Sequence, residues 1–216
     1  MSTRPPILPF AAAMALVVVV SNVLVQFPVM RQVGDLDLSE LLTWGAFTYP
    51  LAFLVNDLTN RRFGPRAARR VVAFGFALAV VCSVVVPPIL FRLGLFPFEM
   101  EPARLARIAI ASGSAFLVAQ LLDVAIFDRL RAGQWWRAPL VSSLLGSVVD
   151  TALFFTLAFA ASLAFLGPTD DFATATSPLM DSPRWVVWAM GDWTVKMLVS
   201  LAALVPYGMV ARRAPA

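Results

Sequence analysis

The chain has 216 residues, of which 60% are hydrophobic and only 14% charged, with no histidine, one cysteine and a formal net charge of +4. A soluble domain is usually about 45–50% apolar and about 25% charged, so this composition, with a mean hydropathy of +0.80, excludes a water-soluble fold and describes a membrane protein. It also excludes haem held by histidine, Cys/His zinc sites and disulfides within the chain, while the pI near 10.2 reflects arginines at the ends of apolar runs, where topology signals sit, and not a nucleic-acid-binding face.

Arg4 followed by an apolar run over residues 7–29 resembles the start of a signal peptide. The run is too long for one: its 23 residues reach about 34 Å as a helix, enough to cross hydrocarbon. It reads as a first transmembrane helix, interrupted only by the polar Ser21, Asn22 and Gln26. Further runs at 41–60, 71–93, 105–130, 140–166 and 185–210 each approach or exceed the roughly 20 residues needed to span. The expectation is an all-α, polytopic, single-domain protein of six transmembrane helices. Cys82 lies inside the third run.

Orientation follows from the arginines. With the amino terminus inside, Arg4, Arg61, Arg62, Arg66, Arg69, Arg70, Arg129, Arg131, Arg137, Arg212 and Arg213 are cytoplasmic, against Arg31, Arg92, Arg104, Arg107 and Arg184 outside. The outer segments also carry Asp35, Asp37, Glu40, Glu99, Glu101, Asp170, Asp171 and Asp181. The positive-inside bias then places both termini in the cytoplasm. Trp44, Trp185 and Trp188 fall at the outer boundary and Trp135, Trp136 and Tyr207 at the inner one, as interfacial aromatics do. The longest loops, 30–40 and 167–184, are both outside, and the second, with Gly167, Pro168, Pro178 and Pro183, is expected to have little regular structure.

Polar side chains within the runs are the informative ones, because charges at mid-bilayer are costly and normally face the bundle interior or a water-filled cavity. They are Asp57, Asp123, Asp150, Asp192 and Lys196. In the fourth run Ala111, Ala115, Ala119 and Asp123 recur every fourth residue, a small-residue stripe that admits a neighbouring helix and points Asp123 and Gln120 inward. Ser142, Gly146 and Asp150 repeat the device in the fifth, placing Asp150 near the midplane. Asp192, Lys196 and Ser200 share a face of the sixth, where the first two can form a structural ion pair or touch a ligand. Asn22 and Gln26 share a face of the first and can bind either a neighbouring helix or a ligand.

Asn56, Asp57 and Arg61 lie towards the cytoplasmic end of the second run and suggest a local ion pair or an inner gate. Arg107 is expected at the outer boundary with its guanidinium snorkelling to water, or paired with an acid in an outer cavity. Enzyme chemistry finds no support. There is no GxxxxGK[ST] or GxSxG run, no histidine base, and Gly191-Asp192 lacks the earlier glycine of an intramembrane aspartyl protease, Ala189 standing in its place.

The segments SNVLVQFPV (21–29), TWGAFTYPLAFLVNDLTNRRFGPRAARRVV (43–72) and RIAIASGSAFLVAQLLDVAIFDRLR (107–131), followed by WWRAP, DTALFF and the late Asp192-x-x-x-Lys196, resemble the queuosine precursor transporter family of bacterial inner membranes, a branch of the vitamin uptake transporters. The likeness covers every predicted helix but the third. It implies a six-helix importer of a 7-deazaguanine, 7-cyano-7-deazaguanine first among them, for salvage into the queuosine of tRNA, needing no cofactor or metal and leaving the oligomeric state open. Onto this sequence the family pattern carries Asn22, Gln26, Trp44, Asp57, Arg61, Gln120, Asp123, Asp150, Asp192 and Lys196.

The expected substrate contacts are therefore Asn22, Gln26, Trp44, Gln120, Asp123, Asp150, Asp192 and Lys196, with Asn56, Asp57 and Arg61 as a gate. A buried carboxylate would accept the adjacent N1–H and exocyclic amine of a deazaguanine. An amide or Lys196 would donate to its O6 or nitrile, and Trp44, Phe47 or Trp193 would stack on the ring. A second reading is a substrate-binding membrane subunit of an ATP-driven importer, since Ala11 and Ala15 resemble the docking motif of such subunits. The choice between proton coupling and facilitated diffusion stays open.

Overall fold

The structure, a computed structural model, describes residues 7–34, 36–97 and 99–211. Arg4, Asp35, Arg212 and Arg213, which entered the charge count, lie outside the described residues. Among the described residues the fold is all-helical but for one hairpin of two two-residue strands. Its long helices are α1 (Leu8–Leu24), α3 (Leu51–Phe63), α4 (Pro65–Arg92), α5 (Pro102–Leu130), α6 (Arg137–Phe159) and α8 (Arg184–Ala211); α2 (Gly45–Thr48) and α7 (Asp171–Thr174) are single turns. Among the described residues four helices, α4, α5, α6 and α8, are long and apolar enough to cross a membrane.

The first two predicted helices differ most from expectation. The first ends at Leu24 and not at residue 29, because Phe27 precedes Pro28 and is biased away from helical geometry. The chain then turns extended: Val29 N–H donates to the Leu42 carbonyl at 2.9 Å and Trp44 N–H to that of Phe27 at 3.0 Å. Between these bonds strand β1 (Gln32–Val33) pairs antiparallel with β2 (Leu36–Asp37), turning through Gly34 at φ +61°. The Asp37 carboxylate, held below the usual range by hydrogen bonds from the Ser39 side chain and N–H, caps the helical turn Leu38–Glu40.

The second predicted helix, 41–60, is divided. Pro50 has no N–H to donate and interrupts the ladder between α2 and α3. α3 then runs to Phe63 and stops at Gly64, whose φ of +82° ends a helix at little cost. Pro65 immediately starts α4, so Arg66, Arg69 and Arg70 ride on its first turns, exposed, and not in a loop. α6 likewise ends early, at Phe159 instead of 166, with a 3-10 segment after it. The 167–184 loop contains one more turn than expected, α7, capped by the Asp170 carboxylate accepting from Phe172 N–H and Ala173 N–H.

α5 is the central element, packed on α4 and α6, while α1 lies on α4 and α3, and α8 on α6 and α3. Its alanine stripe behaves as expected: Ala111, Ala115, Ala119 and Asp123 are all buried. Gly146 answers it from α6, where a Cβ would stand 2.7 Å from the Phe53 ring. Polarity is inverted relative to a soluble protein. Leu16, Val81, Leu198 and Val205 are each more than half exposed, whereas Gln120 and Asn56 are completely buried. Such outward apolar faces suit lipid.

Candidate functional site

Helices α1, α2, α4, α5, α6 and α8 enclose a cavity of about 330 Å³ beneath the hairpin, within the usual range of roughly 300–1,000 Å³ for small-ligand sites. Its floor is charged. Lys196 Nζ reaches Asp150 Oδ2 at 2.7 Å and Thr151 Oγ1 at 3.0 Å, and forms an ion pair with Asp192 one helical turn away. Thr151 in turn donates to Asp192 Oδ2 at 2.8 Å. Tyr49 approaches Asp150 Oδ1 at 3.5 Å and presents its ring 5.4 Å from the ammonium. One cation between two carboxylates leaves a net negative site.

These contacts decide which atoms remain free. An ammonium has three protons, and those of Lys196 meet Asp150, Asp192 and Thr151. In this arrangement it holds the carboxylates and has no proton left for an incoming carbonyl or nitrile. Asn22 is also engaged, donating to the Val18 carbonyl at 2.9 Å and accepting from Ser83 Oγ at 3.1 Å. Gln26 lines the cavity, half-buried, with no side-chain hydrogen bond to a described residue.

The aromatic wall is not the expected one. Trp44, Phe47 and Trp193 are all exposed and none of them lines the cavity. Tyr49, Phe154, Phe155, Phe159 and Trp188 do; Phe155 and Phe159 lie 6.0 Å apart and Phe159 and Trp188 5.8 Å in an edge contact. The sequence carried a signal for part of this wall. Phe154 follows Asp150 by four residues and Trp188 precedes Asp192 by four, so each shares a helical face with an acid already singled out. Thr151, next to Asp150 in sequence, had no such mark.

Of the expected substrate contacts, Asn22, Gln26, Asp150, Asp192 and Lys196 come together in this cavity. Gln120 and Asp123 do not; they are buried in a second polar cluster with the expected gate residues. There Asn56 Nδ2 donates to Asp123 Oδ2 at 2.8 Å and to the Gln120 carbonyl at 3.2 Å. Asp57 accepts from Ser142 and Ser143, each at 3.2 Å. The local Asp57–Arg61 ion pair is replaced: Arg61 Nη1 donates to the Arg131 carbonyl at 2.9 Å.

Arg107 corrects another expectation. It does not snorkel but is 1% exposed, donating to the carbonyls of Leu157 at 2.9 Å, Gly167 at 2.8 Å and Ala160 at 2.7 Å. Its guanidinium ties the end of α6, at Leu157 and Ala160, to Gly167 of the following segment.

Comparison with known proteins gives concordant results. A family model described as "Putative vitamin uptake transporter" matches residues 43–210. The queuosine precursor transporter of Escherichia coli (strain K12) is 37% identical over 201 residues, 90% of this chain and 81% of that protein. A protein of Haemophilus influenzae named probable queuosine precursor transporter is 35% identical over 81% of this chain and 70% of its own length, and one of Bacillus subtilis with the same name is 28% identical over 79% and 72%. No solved structure matches.

Proposed function

Because the chain belongs to the queuosine precursor transporter family, a family of transporters and not of enzymes, we propose that it imports a 7-deazaguanine, foremost 7-cyano-7-deazaguanine, across a bacterial inner membrane for queuosine salvage. The observation that carries the choice of cargo is the cavity's pairing of an anionic floor with an aromatic wall. A deazaguanine offers N1–H and its exocyclic amine side by side, and Asp192 Oδ1 or Asp150 Oδ1 can accept from that edge. Gln26 then donates to O6 or the nitrile, and Phe154, Phe155 or Trp188 covers the flat ring. Asn22 positions the α1 side of the cavity through Ser83.

The proposed topology is a single domain of six crossings with both termini cytoplasmic, α1 and the α2–α3 pair adding two spans to the four long helices. Two sets of contacts support it. Arg61 bonds to the Arg131 carbonyl at one end of the bundle, while Arg104 pairs with Asp170 at 3.2 Å and Arg184 with Glu40 at 3.7 Å at the other. The first end is the arginine-rich one, taken as the inner side. The cavity lies towards the second, as an outward-facing site of an alternating-access carrier would.

The test is uptake of labelled 7-cyano-7-deazaguanine, read out as queuosine in tRNA, in cells unable to make the precursor. Wild-type chain restores queuosine, and Asp150→Ala, although present in the membrane, does not. Absence of rescue by the wild type with every deazaguanine precursor overturns the reading.

A further inference from the structure

The polar cluster apart from the cavity contains a second pair of buried acids. Asp57 on α3 and Asp123 on α5 are 2% and 0% exposed and share neighbours: Asn56, next to Asp57 in the chain, donates to Asp123 at 2.8 Å, and Ser142 donates to Asp57 at 3.2 Å. No cation pairs with either among the described residues. The nearby basic groups are engaged elsewhere: Arg61 with the Arg131 carbonyl, Arg131 with Asp128 at 3.3 Å, and Lys196 with Asp150 and Asp192 in the cavity.

The donors that reach the pair are one short. Ser142 and Ser143 give their hydroxyl protons to Asp57, and Asn56 gives an amide proton to Asp123 Oδ2. Ser142 also borders Asp123, but a hydroxyl has a single proton and donates to one acceptor at a time. Asp123 Oδ1 is therefore buried without a donor, and so is Asn56 Oδ1 on the completely buried amide that holds the other oxygen.

Two ionised carboxylates side by side in this buried cluster would add mutual repulsion to the cost of burying each charge. One proton between them removes the repulsion and supplies the missing donor, leaving a single negative charge that three neutral donors already address.

We propose that Asp57 and Asp123 form a carboxyl pair that binds one proton, and that this proton crosses the membrane with the cargo. The coupling part rests on the transport reading above; the proton site does not. In each cycle a proton from water on the arginine-poor side forms an O–H bond to one carboxyl. That bond breaks on the arginine-rich side and the proton passes to water. The cargo keeps all its bonds, so one positive charge moves with each neutral molecule.

The link to the cavity is α6. Ser143 and Asp150 are seven residues apart on that helix, two turns along one face, so a movement of α6 on binding cargo at Asp150 shifts the hydrogen bonds that Asp57 receives. The other titratable or charged groups near Asp57 are Tyr207 of α8, Arg61 and Arg131. No acid or base of α6 itself adjoins it.

The experiment uses the full chain, purified and reconstituted in liposomes with an entrapped pH dye and labelled 7-cyano-7-deazaguanine. An outside-acid gradient is expected to concentrate cargo inside, and adding cargo is expected to acidify the lumen. Asp57→Asn and Asp123→Asn should each remain stabilised by cargo in thermal unfolding, yet lose both accumulation and proton entry. Infrared spectra of the wild type should contain a carboxylic-acid C=O band that shifts in D2O and is missing from both variants.

Cargo flux indifferent to the pH gradient overturns the coupling and leaves the transport reading standing. Accumulation driven by sodium instead overturns the choice of proton. No flux under any gradient overturns both readings of transport. A wild-type spectrum without the acid band overturns the proton on this pair, and that measurement needs no variant to fold.

Discussion

Lys196 sits where three acceptors converge, and that convergence makes its removal more damaging than that of either acid alone. In Lys196→Met the carboxylates of Asp150 and Asp192 would face each other with no cation, an uncompensated buried charge of the kind that costs about 3–5 kcal/mol. The expected outcome is a clear loss of thermal stability in detergent, with cargo absent. Gln26 should behave in the opposite way. Its amide has no hydrogen bond to a described residue, so Gln26→Ala leaves unfolding of the free protein nearly unchanged but costs about 1–3 kcal/mol of cargo binding, roughly 5- to 150-fold in Kd by calorimetry. The Asp192–Lys196 pair was legible because four residues is one helical turn. The addition of Asp150 was half-legible, since a buried acid needs a partner but the sequence does not say which. Thr151 was not legible at all: an apolar run gives no phase fine enough to tell which of two adjacent polar residues meets a third helix.

At the level of elements, the ends of helices carry more of the site than their middles. α6 stops at Phe159, and its last carbonyls are taken up by Arg107 from α5, which thereby fixes the end of the helix that carries Phe154, Phe155 and Phe159 into the cavity wall. Arg107→Ala withdraws the guanidinium from the carbonyls of Leu157, Gly167 and Ala160, of which only Ala160 keeps another donor, the Leu163 N–H; each carbonyl left dry costs about 1–3 kcal/mol. The melting temperature should fall markedly, and Arg107→Lys should recover only part of it, because an ammonium cannot reproduce the spread of a guanidinium fork. An Arg107→Lys variant as stable as wild type would contradict this account. Gly146 makes a parallel case between elements: Gly146→Val places side-chain carbon where the Phe53 ring already stands, and overpacking of this kind typically costs about 1–3 kcal/mol. Helix existence and the close approach at Gly146 were readable from the runs and their small residues, whereas the Arg107 joint was not. Pro28, Pro50 and Gly64 were all visible in the sequence, but membrane helices tolerate prolines, so composition alone left open whether Pro50 bends a helix or divides it.

For the molecule as a whole, the arginines and the contacts they make argue for one orientation by two routes. The count along the sequence favours inner positions for residues 61–70 and 129–137. The fold independently brings these two groups to the same end, through the Arg61 bond to the Arg131 carbonyl, and the edge contact of Phe10 with Phe63 at 5.3 Å brings the start of α1 there too. An odd number of crossings, or a second helix that merely re-enters, would separate what the sequence groups together. Side-specific labelling turns this into a measurement, helped by the fact that Cys82 is buried and is the one cysteine of the chain. Arg66 and Asp181 are both exposed and lie at opposite ends of the bundle. In intact spheroplasts a membrane-impermeant maleimide should label Asp181→Cys and spare both Arg66→Cys and the unsubstituted chain. Permeabilisation should then admit label to Arg66→Cys as well. Labelling of Arg66→Cys from outside would reverse the orientation, moving the aromatic cavity to the cytoplasmic side and turning an importer's outward-facing state into an inward-facing one.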